Sequence, residues 1–280
     1  DEDLVISQWL DNDKSSTQSI FENNSGVFQD ISGITNINHD GRDITAISAD
    51  YDNDGFLDLL FINSLESKLY KNDGKGKFID MTSTIGIDFT SNGMKAGFFD
   101  YDLEGDLDLY VASGSTNELY RNNADGTFTE VSNKSGTAGN SAKSKDIAFG
   151  DFDEDGDVDL FVLNQNGASR FYDNRRQGYF ADITTTVGLN FVGEPSTVVS
   201  GDYNNDGYLD LFISDLAGEQ HAMFQNKGDG TFIKDEASLS AIDGLTGFVI
   251  IQADFADVDN DGYLDLLVAG SPTKKDKYQS

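Results

Sequence analysis

Five nine-residue stretches place oxygen-bearing side chains at the same offsets. "DYDNDGFLD" begins at Asp50, "DYDLEGDLD" at Asp100, "DFDEDGDVD" at Asp151, "DYNNDGYLD" at Asp202 and "DVDNDGYLD" at Asp257. Each carries Asp at positions 1 and 9 and Gly at position 6: Gly55, Gly105, Gly156, Gly207 and Gly262. Position 3 is Asp except for Asn204, and position 5 is Asp except for Glu104, so an oxygen is kept throughout. A hard cation wants this donor set. Calcium takes six to eight oxygens, and loops of this kind supply them from side chains at 1, 3, 5 and 9 and a carbonyl at 7, with glycine making the sharp turn. Magnesium fits less well, because it demands tighter octahedral geometry and keeps more of its waters. One such stretch could be a polar "DG" hairpin turn. In five, three or four carboxylates converge each time, and they repel one another unless a cation or a proton neutralises them.

The stretches are not EF-hands, which need a bidentate acid at position 12 on a helix. Position 12 is Phe61, Val111, Val162, Ile213 and Val268, inside apolar, branched runs that suit buried strands. The loop therefore belongs in a hairpin of a sheet. It recurs at intervals of 50, 51, 51 and 55 residues. A second signature runs in phase with it: "IFENNSGVF" from Ile20, "LYKNDGKGKF" from Leu69, "LYRNNADGTF" from Leu119, "FYDNRRQGYF" from Phe171 and "MFQNKGDGTF" from Met223. Apolar residues, an Asn, a Gly-containing turn and an aromatic make a second hairpin. For the copy near Arg42, "DITAISA" enters the Asp loop, "LDLLFIN" leaves it, and "SKLYKN" and "KFIDMTS" follow, with no room for a helix of ordinary length.

Four short strands per repeat predict an all-β fold, a β-propeller of four-stranded antiparallel blades with calcium-binding loops. A solenoid is the alternative, but its repeats are usually shorter and its strands parallel. The repeats divide the 280 residues, read as one domain, into a partial blade 1–41, blades of about 42–93, 94–144, 145–196 and 197–247, a partial blade 248–270 and a polar tail 271–280. "DEDLVISQWL" aligns with "FLDLLFINSL", so Asp3 takes the place of position 9 and the chain is expected to be a fragment, with further domains of a longer chain beyond it.

Composition narrows the function. A net charge of −31 argues against nucleic acid and anionic membrane surfaces, which need a basic footprint. Acidic tails are poor in aromatics, whereas 11% aromatic residues here place the charge on a folded frame. No cysteine is present, which removes disulfide scaffolds, thiolate zinc sites and cysteine nucleophiles. No run of about 18 apolar residues exists for membrane insertion. Extracellular calcium modules bind at about 10⁻⁴ to 10⁻³ M, so such sites fill outside cells and stay largely empty in cytosol. The expected location is therefore secreted, cell-surface or periplasmic.

Both signatures, and "LYRNNADGTFTEVS" especially, resemble the FG-GAP or VCBS repeats of integrin α-subunits, cartilage acidic protein and its bacterial relatives. The resemblance covers nearly the whole chain. It implies a propeller, most often seven-bladed, with one Ca2+ per blade between its first and second strands, hence five ions here. Carried over position by position, the ligands would be Asp50, Asp52, Asp54 and Asp58; Asp100, Asp102, Glu104 and Asp108; Asp151, Asp153, Asp155 and Asp159; Asp202, Asn204, Asp206 and Asp210; and Asp257, Asp259, Asp261 and Asp265. Carbonyls would come from Phe56, Asp106, Asp157, Tyr208 and Tyr263.

Three functions compete. The leading one is a non-catalytic recognition or adhesion domain holding a protein or glycan ligand at a propeller face, through segments such as "NHDGRD", "FTSNGMK" and "LAGEQHA". An enzyme, a polysaccharide lyase or hydrolase, is the second, with weak support. His39 and His221 lie in polar, loop-like stretches and are expected to be solvent-exposed rather than chemical. A lectin is the third, with Trp9 or tyrosines stacking on sugars, although Tyr70, Tyr120 and Tyr172 recur in phase and suit a blade core. Asn23 and Asn133 match the glycosylation pattern, and Arg175 with Arg176 reads as a solvated turn.

Overall fold

The computed structural model describes residues 3–9, 16–39, 43–63, 66–89, 93–139, 142–165, 167–191, 193–241 and 245–273. They fall into two compact units, 1–141 and 142–280.

The first unit holds three antiparallel sheets. One comprises Leu4–Trp9 (β1), Ser16–Asn24 (β2) and Val27–Asp30 (β3). The next comprises Asp43–Ala49 (β4), Asp58–Asn63 (β5), Lys68–Asn72 (β6) and Phe78–Asp80 (β7). The third repeats it with Gly93–Phe99 (β8), Asp108–Ser113 (β9), Glu118–Asn122 (β10) and Phe128–Glu130 (β11), followed by one helical turn at Ser132–Ser135 (α1).

The second unit carries Ser144–Gly150 (β12), Asp159–Asn164 (β13), Arg170–Asn174 (β14) and Phe180–Asp182 (β15). Then come Pro195–Gly201 (β16), Asp210–Asp215 (β17), Ala222–Asn226 (β18) and Phe232–Lys234 (β19). Glu236–Ala241 (α2) leads to a two-stranded sheet of Phe248–Ala256 (β20) and Asp265–Pro272 (β21). Strands follow chain order in every sheet, as in propeller blades and unlike the parallel ladders of a solenoid.

The second strand of each four-stranded sheet is buried along its whole length. Sheets packed on both faces need no polar side, which is why "LDLLFIN" and "LDLFVLN" are nearly continuous apolar runs. Between the two four-stranded sheets of the first unit lie Leu60, Ile62, Leu109, Val111, Tyr120 and Phe128. In the second unit Phe152, Phe161, Phe171, Leu211, Phe224 and Phe232 fill the equivalent layer. Tyr70, Tyr120 and Tyr172 are buried core residues, as their phase suggested. The short fourth strands keep one aromatic in contact with the preceding sheet: the Phe128 N–H donates to the Ile85 carbonyl at 2.7 Å, and the Phe232 N–H to Val187 at 2.7 Å.

Candidate metal-binding loops

Each Asp loop joins the first two strands of its sheet, and its backbone is the same in all five copies. Position 6 glycines have φ between 88° and 93°, and position 4 is also left-handed: Asn53, Leu103, Glu154, Asn205 and Asn260 have φ of 58° to 60°. Glycine at 6 is legible in the sequence. The strained Leu103 and Glu154 are not, because position 4 varies in type while the backbone it must adopt does not.

Position 1 closes the turn. The N–H of the position 6 glycine donates to Oδ2 of Asp50, Asp100, Asp151, Asp202 and Asp257 at 2.8, 2.9, 3.0, 2.9 and 3.0 Å. Position 9 is held from two sides. Asp58 Oδ2 accepts the Tyr51 N–H at 3.3 Å, and Asp58 Oδ1 accepts the N–H of the hairpin residue Asn72 at 2.7 Å. Asp108 with Asn122, Asp159 with Asn174 and Asp210 with Asn226 repeat the second bond at 2.8, 2.9 and 2.8 Å. Asp3 accepts the Asn23 N–H at 2.8 Å, the same contact in the first sheet.

The hairpin asparagine is the residue that sequence reasoning undervalued. Asn122 Nδ2 donates to the carbonyls of Leu107 at 3.1 Å and of Tyr51, in the preceding Asp loop, at 2.7 Å, while its Oδ1 accepts the Ala124 N–H at 3.0 Å. Asn226 does the same with Leu209, Phe152 and Gly228 at 3.2, 2.8 and 3.0 Å. Its recurrence one residue after each third-strand core was the available signal.

Among the described residues, four loops gather three carboxylates with oxygens within 4.8 Å of one another: Asp50, Asp52 and Asp58; Asp100, Asp102 and Asp108; Asp151, Asp153 and Asp155; Asp257, Asp259 and Asp265. The loop at Asp202 forms no such trio; its position 3 is Asn204. Asp54 stands outside its trio and pairs with Lys71 Nζ at 2.8 Å, which also contacts Asp52. Glu104, Asp159 and Asp261 likewise lie outside the trios of their loops.

These oxygens are poorly satisfied by protein. Asp52, Asp100, Asp102 and Asp151 each have a buried Oδ1 without a hydrogen-bond partner. Burial, followed by neighbouring charge, pushes Asp102 and Asp153 up from the usual carboxylate range. Burial is also the largest cause at position 9, where it lifts Asp58 to about 6 and Asp108, Asp159 and Asp210 to about 7. Orphaned, clustered carboxylate oxygens are costly unless a proton or cation takes them, so the clusters could hold a metal ion, and an all-oxygen set suits calcium.

Position 7 divides the loops. Phe56 and Tyr208 lay their rings over the hairpin glycines: a Cβ on Gly74 would stand 2.6 Å from the Phe56 ring, and one on Gly228 2.3 Å from that of Tyr208. Where position 7 is Asp106 or Asp157, the same left-handed hairpin place holds Ala124 or Arg176. Asp106 and Asp157 are buried carboxylates, each with an unpartnered Oδ1, and Arg176 Nε donates to Asp157 Oδ2 at 2.8 Å.

The family model for FG-GAP-like repeats matches residues 50–111, 100–162 and 151–213, which together span more than half of the chain. The chain belongs to the FG-GAP-like repeat family. No curated protein sequence matches this FG-GAP-like chain. Among solved structures, it is similar to a lectin of Agrocybe aegerita that recognises non-reducing terminal N-acetylglucosamine, with a TM-score of 0.59, 18% identity, and coverage of 95% of this chain and 74% of that one. It also matches the Photorhabdus luminescens Tc holotoxin pore (TM-score 0.49, 18% identity, 95% of this chain, 12% of that) and the V. cholerae biofilm matrix protein Bap1 (0.42, 16%, 82% and 38%). The chain spans only a small part of the latter two. At these identities the first likeness speaks for the fold, an all-β propeller type, and for nothing more.

The histidines correct an expectation. Both are buried, at 7% and 5% exposure, rather than solvent-exposed. His39 Nε2 lies 2.7 Å from Asp43, which Ser7, Gln18 and Asn63 also hold, and His39 Nδ1 lies 3.2 Å from the Tyr70 hydroxyl. His221 Nδ1 accepts the Asp215 N–H at 3.1 Å, and its Nε2 lies 3.0 Å from the Phe248 carbonyl. Polar neighbours in sequence disguised them, because the neighbours are themselves partners inside the fold. The segments "NHDGRD" and "LAGEQHA" are thus partly structural, with Glu219 and Gln220 exposed in the latter; residues 40–42 and 90–92, in the first two predicted contact segments, and the side chain of Trp9 lie outside the described residues. Arg175 pairs with Asp173, and no helix among the described residues is long and apolar enough to cross a membrane.

Proposed function

We propose that the chain is a non-catalytic recognition domain, extracellular or surface-displayed, in which calcium bound at the Asp loops rigidifies the blade hairpins and a glycan or protein partner is held by the exposed loops around them. The observation that carries the calcium part is the set of four in-phase aspartate trios, three of which hold buried, unpartnered oxygens. Asp50, Asp100, Asp151, Asp202 and Asp257 and the carboxylates of positions 3, 5 and 9 are the proposed side-chain ligands, with Asn204 and Glu104 as the variant donors and the carbonyls of position 7 completing the set.

Recognition is supported by the lectin with which the chain shares its fold, and by exposed aromatics on the metal loops and hairpins: Phe56, Tyr179 and Tyr263 are each about half exposed. Such rings can stack on sugars. The buried tyrosines Tyr70, Tyr120 and Tyr172 do not serve this purpose. A non-catalytic role is favoured by the structural engagement of both histidines and of the clustered aspartates.

Two measurements test this. Melting with calcium and with chelator should differ by several degrees, with calcium found in the purified protein by elemental analysis; equal melting and no calcium would refute the metal part. A glycan array with a pull-down control should give calcium-dependent binding that weakens in Phe56→Ala or Tyr263→Ala. Turnover of a polysaccharide, abolished by an acidic substitution outside the loops, would replace the binding reading with an enzymatic one.

A further inference from the structure

In each four-stranded sheet the residue before the hairpin asparagine lies beside the Asp loop of that sheet, and its charge differs from sheet to sheet. It is Lys71, Arg121, Asp173 and Gln225 in turn. Lys71 and Gln225 contact loop carboxylates, Asp173 shares a cavity with them, and Arg121 donates to Asn123 while its charge acts on Asp106. Lys71 Nζ sits on the carboxylates of positions 3 and 5, contacting Asp52 and lying 2.8 Å from Asp54. Gln225 makes the neutral version of the contact, with Nε2 donating to Asp206 Oδ2 at 3.1 Å. Asp173 offers only acceptors. It is 5% exposed, its Oδ1 is buried without a partner, and it lines one cavity of about 450 Å³ with Asp153 and Asp159 of the adjacent loop.

Two arginines answer the loop at Asp151 from the hairpin turn, yet they leave its inner oxygens free. Arg175 pairs with Asp173 Oδ2, and Arg176 with Asp157 Oδ2 at 2.8 Å and, at 3.5 Å, with Asp155 Oδ1. Both guanidinium groups are nearly half exposed. Asp151, Asp157 and Asp173 each keep a buried, unpartnered Oδ1, whereas in the loop at Asp50 only Asp52 does.

We propose that this third-strand residue sets the calcium affinity of its own loop: Asp173 adds a protein oxygen to the loop at Asp151, whereas Lys71 is a resident ammonium that calcium must displace from the loop at Asp50. Ligand charge count tunes calcium loops over orders of magnitude, and a positive charge a few ångströms from a divalent ion opposes it strongly in a partly desolvated site. The loops therefore fill in order as calcium rises: Asp151 first, the neutral Asp202 loop next, and the loops at Asp50 and Asp100, beside Lys71 and Arg121, last. Graded filling makes the domain respond over a wide range of calcium rather than at one threshold.

This inference rests on the calcium reading above, and the experiment separates the two. The whole chain is equilibrated over a range of free calcium, bound ions are counted by native mass spectrometry, and hydrogen exchange of peptides covering 50–58 and 151–159 reports which loop fills. Protection of 151–159 should begin at lower calcium than that of 50–58. Lys71→Gln should lower the midpoint of 50–58 by about tenfold, and Asp173→Asn should raise that of 151–159 by about tenfold, each leaving the other loop unchanged. Lys71 is partly exposed, so its variant keeps the test open if Asp173→Asn folds poorly. Bound calcium with coincident midpoints, or midpoints unmoved in Lys71→Gln, overturns the graded order alone. No bound calcium overturns the metal reading and the inference with it.

Discussion

Replacing the hairpin asparagine of the third sheet by alanine should cost far more stability than the same change in the second sheet, and the difference follows from what each side chain holds. Asn122 is 4% exposed and bridges two loops: its Nδ2 serves the Tyr51 and Leu107 carbonyls, and its Oδ1 takes the Ala124 N–H. The bond to Tyr51 is fully buried, and water cannot replace it. Among the described residues, the Asn72 side chain bonds the Leu57 carbonyl at 3.1 Å and the Gly74 N–H at 3.0 Å, both at the surface. An orphaned buried polar group costs about 1–3 kcal/mol, whereas an exposed one recovers most of its bond from water. We therefore expect roughly 3–5 kcal/mol for Asn122→Ala and no more than about 1.5 kcal/mol for Asn72→Ala. Urea unfolding followed by circular dichroism, run in chelator so that metal affinity does not enter, reads both as shifts of midpoint at constant slope. Equal losses in the two variants would refute the bridging role, since both side chains make the same two local bonds and the contact across to the neighbouring loop is made by Asn122.

Three further outcomes are expected. In chelator, stability should fall as pH rises through the window between the ordinary carboxylate value near 4 and about 7, because Asp58, Asp108, Asp159 and Asp210 have raised values in the fold and the folded chain binds protons that the unfolded chain has lost. Saturating calcium should remove or invert that slope, and melting curves at pH 5 and pH 8 with and without calcium check it. Gly228→Ala should destabilise by about 1–3 kcal/mol, from a left-handed φ of 69° and the clash with the Tyr208 ring; Tyr208→Ala made alongside it should relieve the steric part, measured as a double-mutant cycle. Asp43→Ala should weaken the first unit by more than about 2 kcal/mol, since it strips a buried acceptor from His39, Gln18 and Asn63, as thermal unfolding would show.

Much of this protein is written in one dimension. A nine-residue loop repeated in step with an Asn-turn-aromatic hairpin determines the strand count per repeat, the antiparallel order and the place of the Asp loop between the first two strands, because turn residues and apolar runs act over a few residues. Phe61, Val111, Val162 and Ile213 at position 12 exclude an EF-hand by type alone, and each is buried in a second strand. Tertiary structure decided the rest. It buried His39 and His221, whose partners Tyr70 and Phe248 lie tens of residues away. It also made Asn122 a bridge to Tyr51, 71 residues distant, and set Lys71 on one aspartate loop while leaving the Oδ1 of Asp173 without a partner beside another. The Asp loops look alike in sequence because their candidate donors are local. Their differences come from the neighbouring third strand, which reaches them only once the sheet has formed.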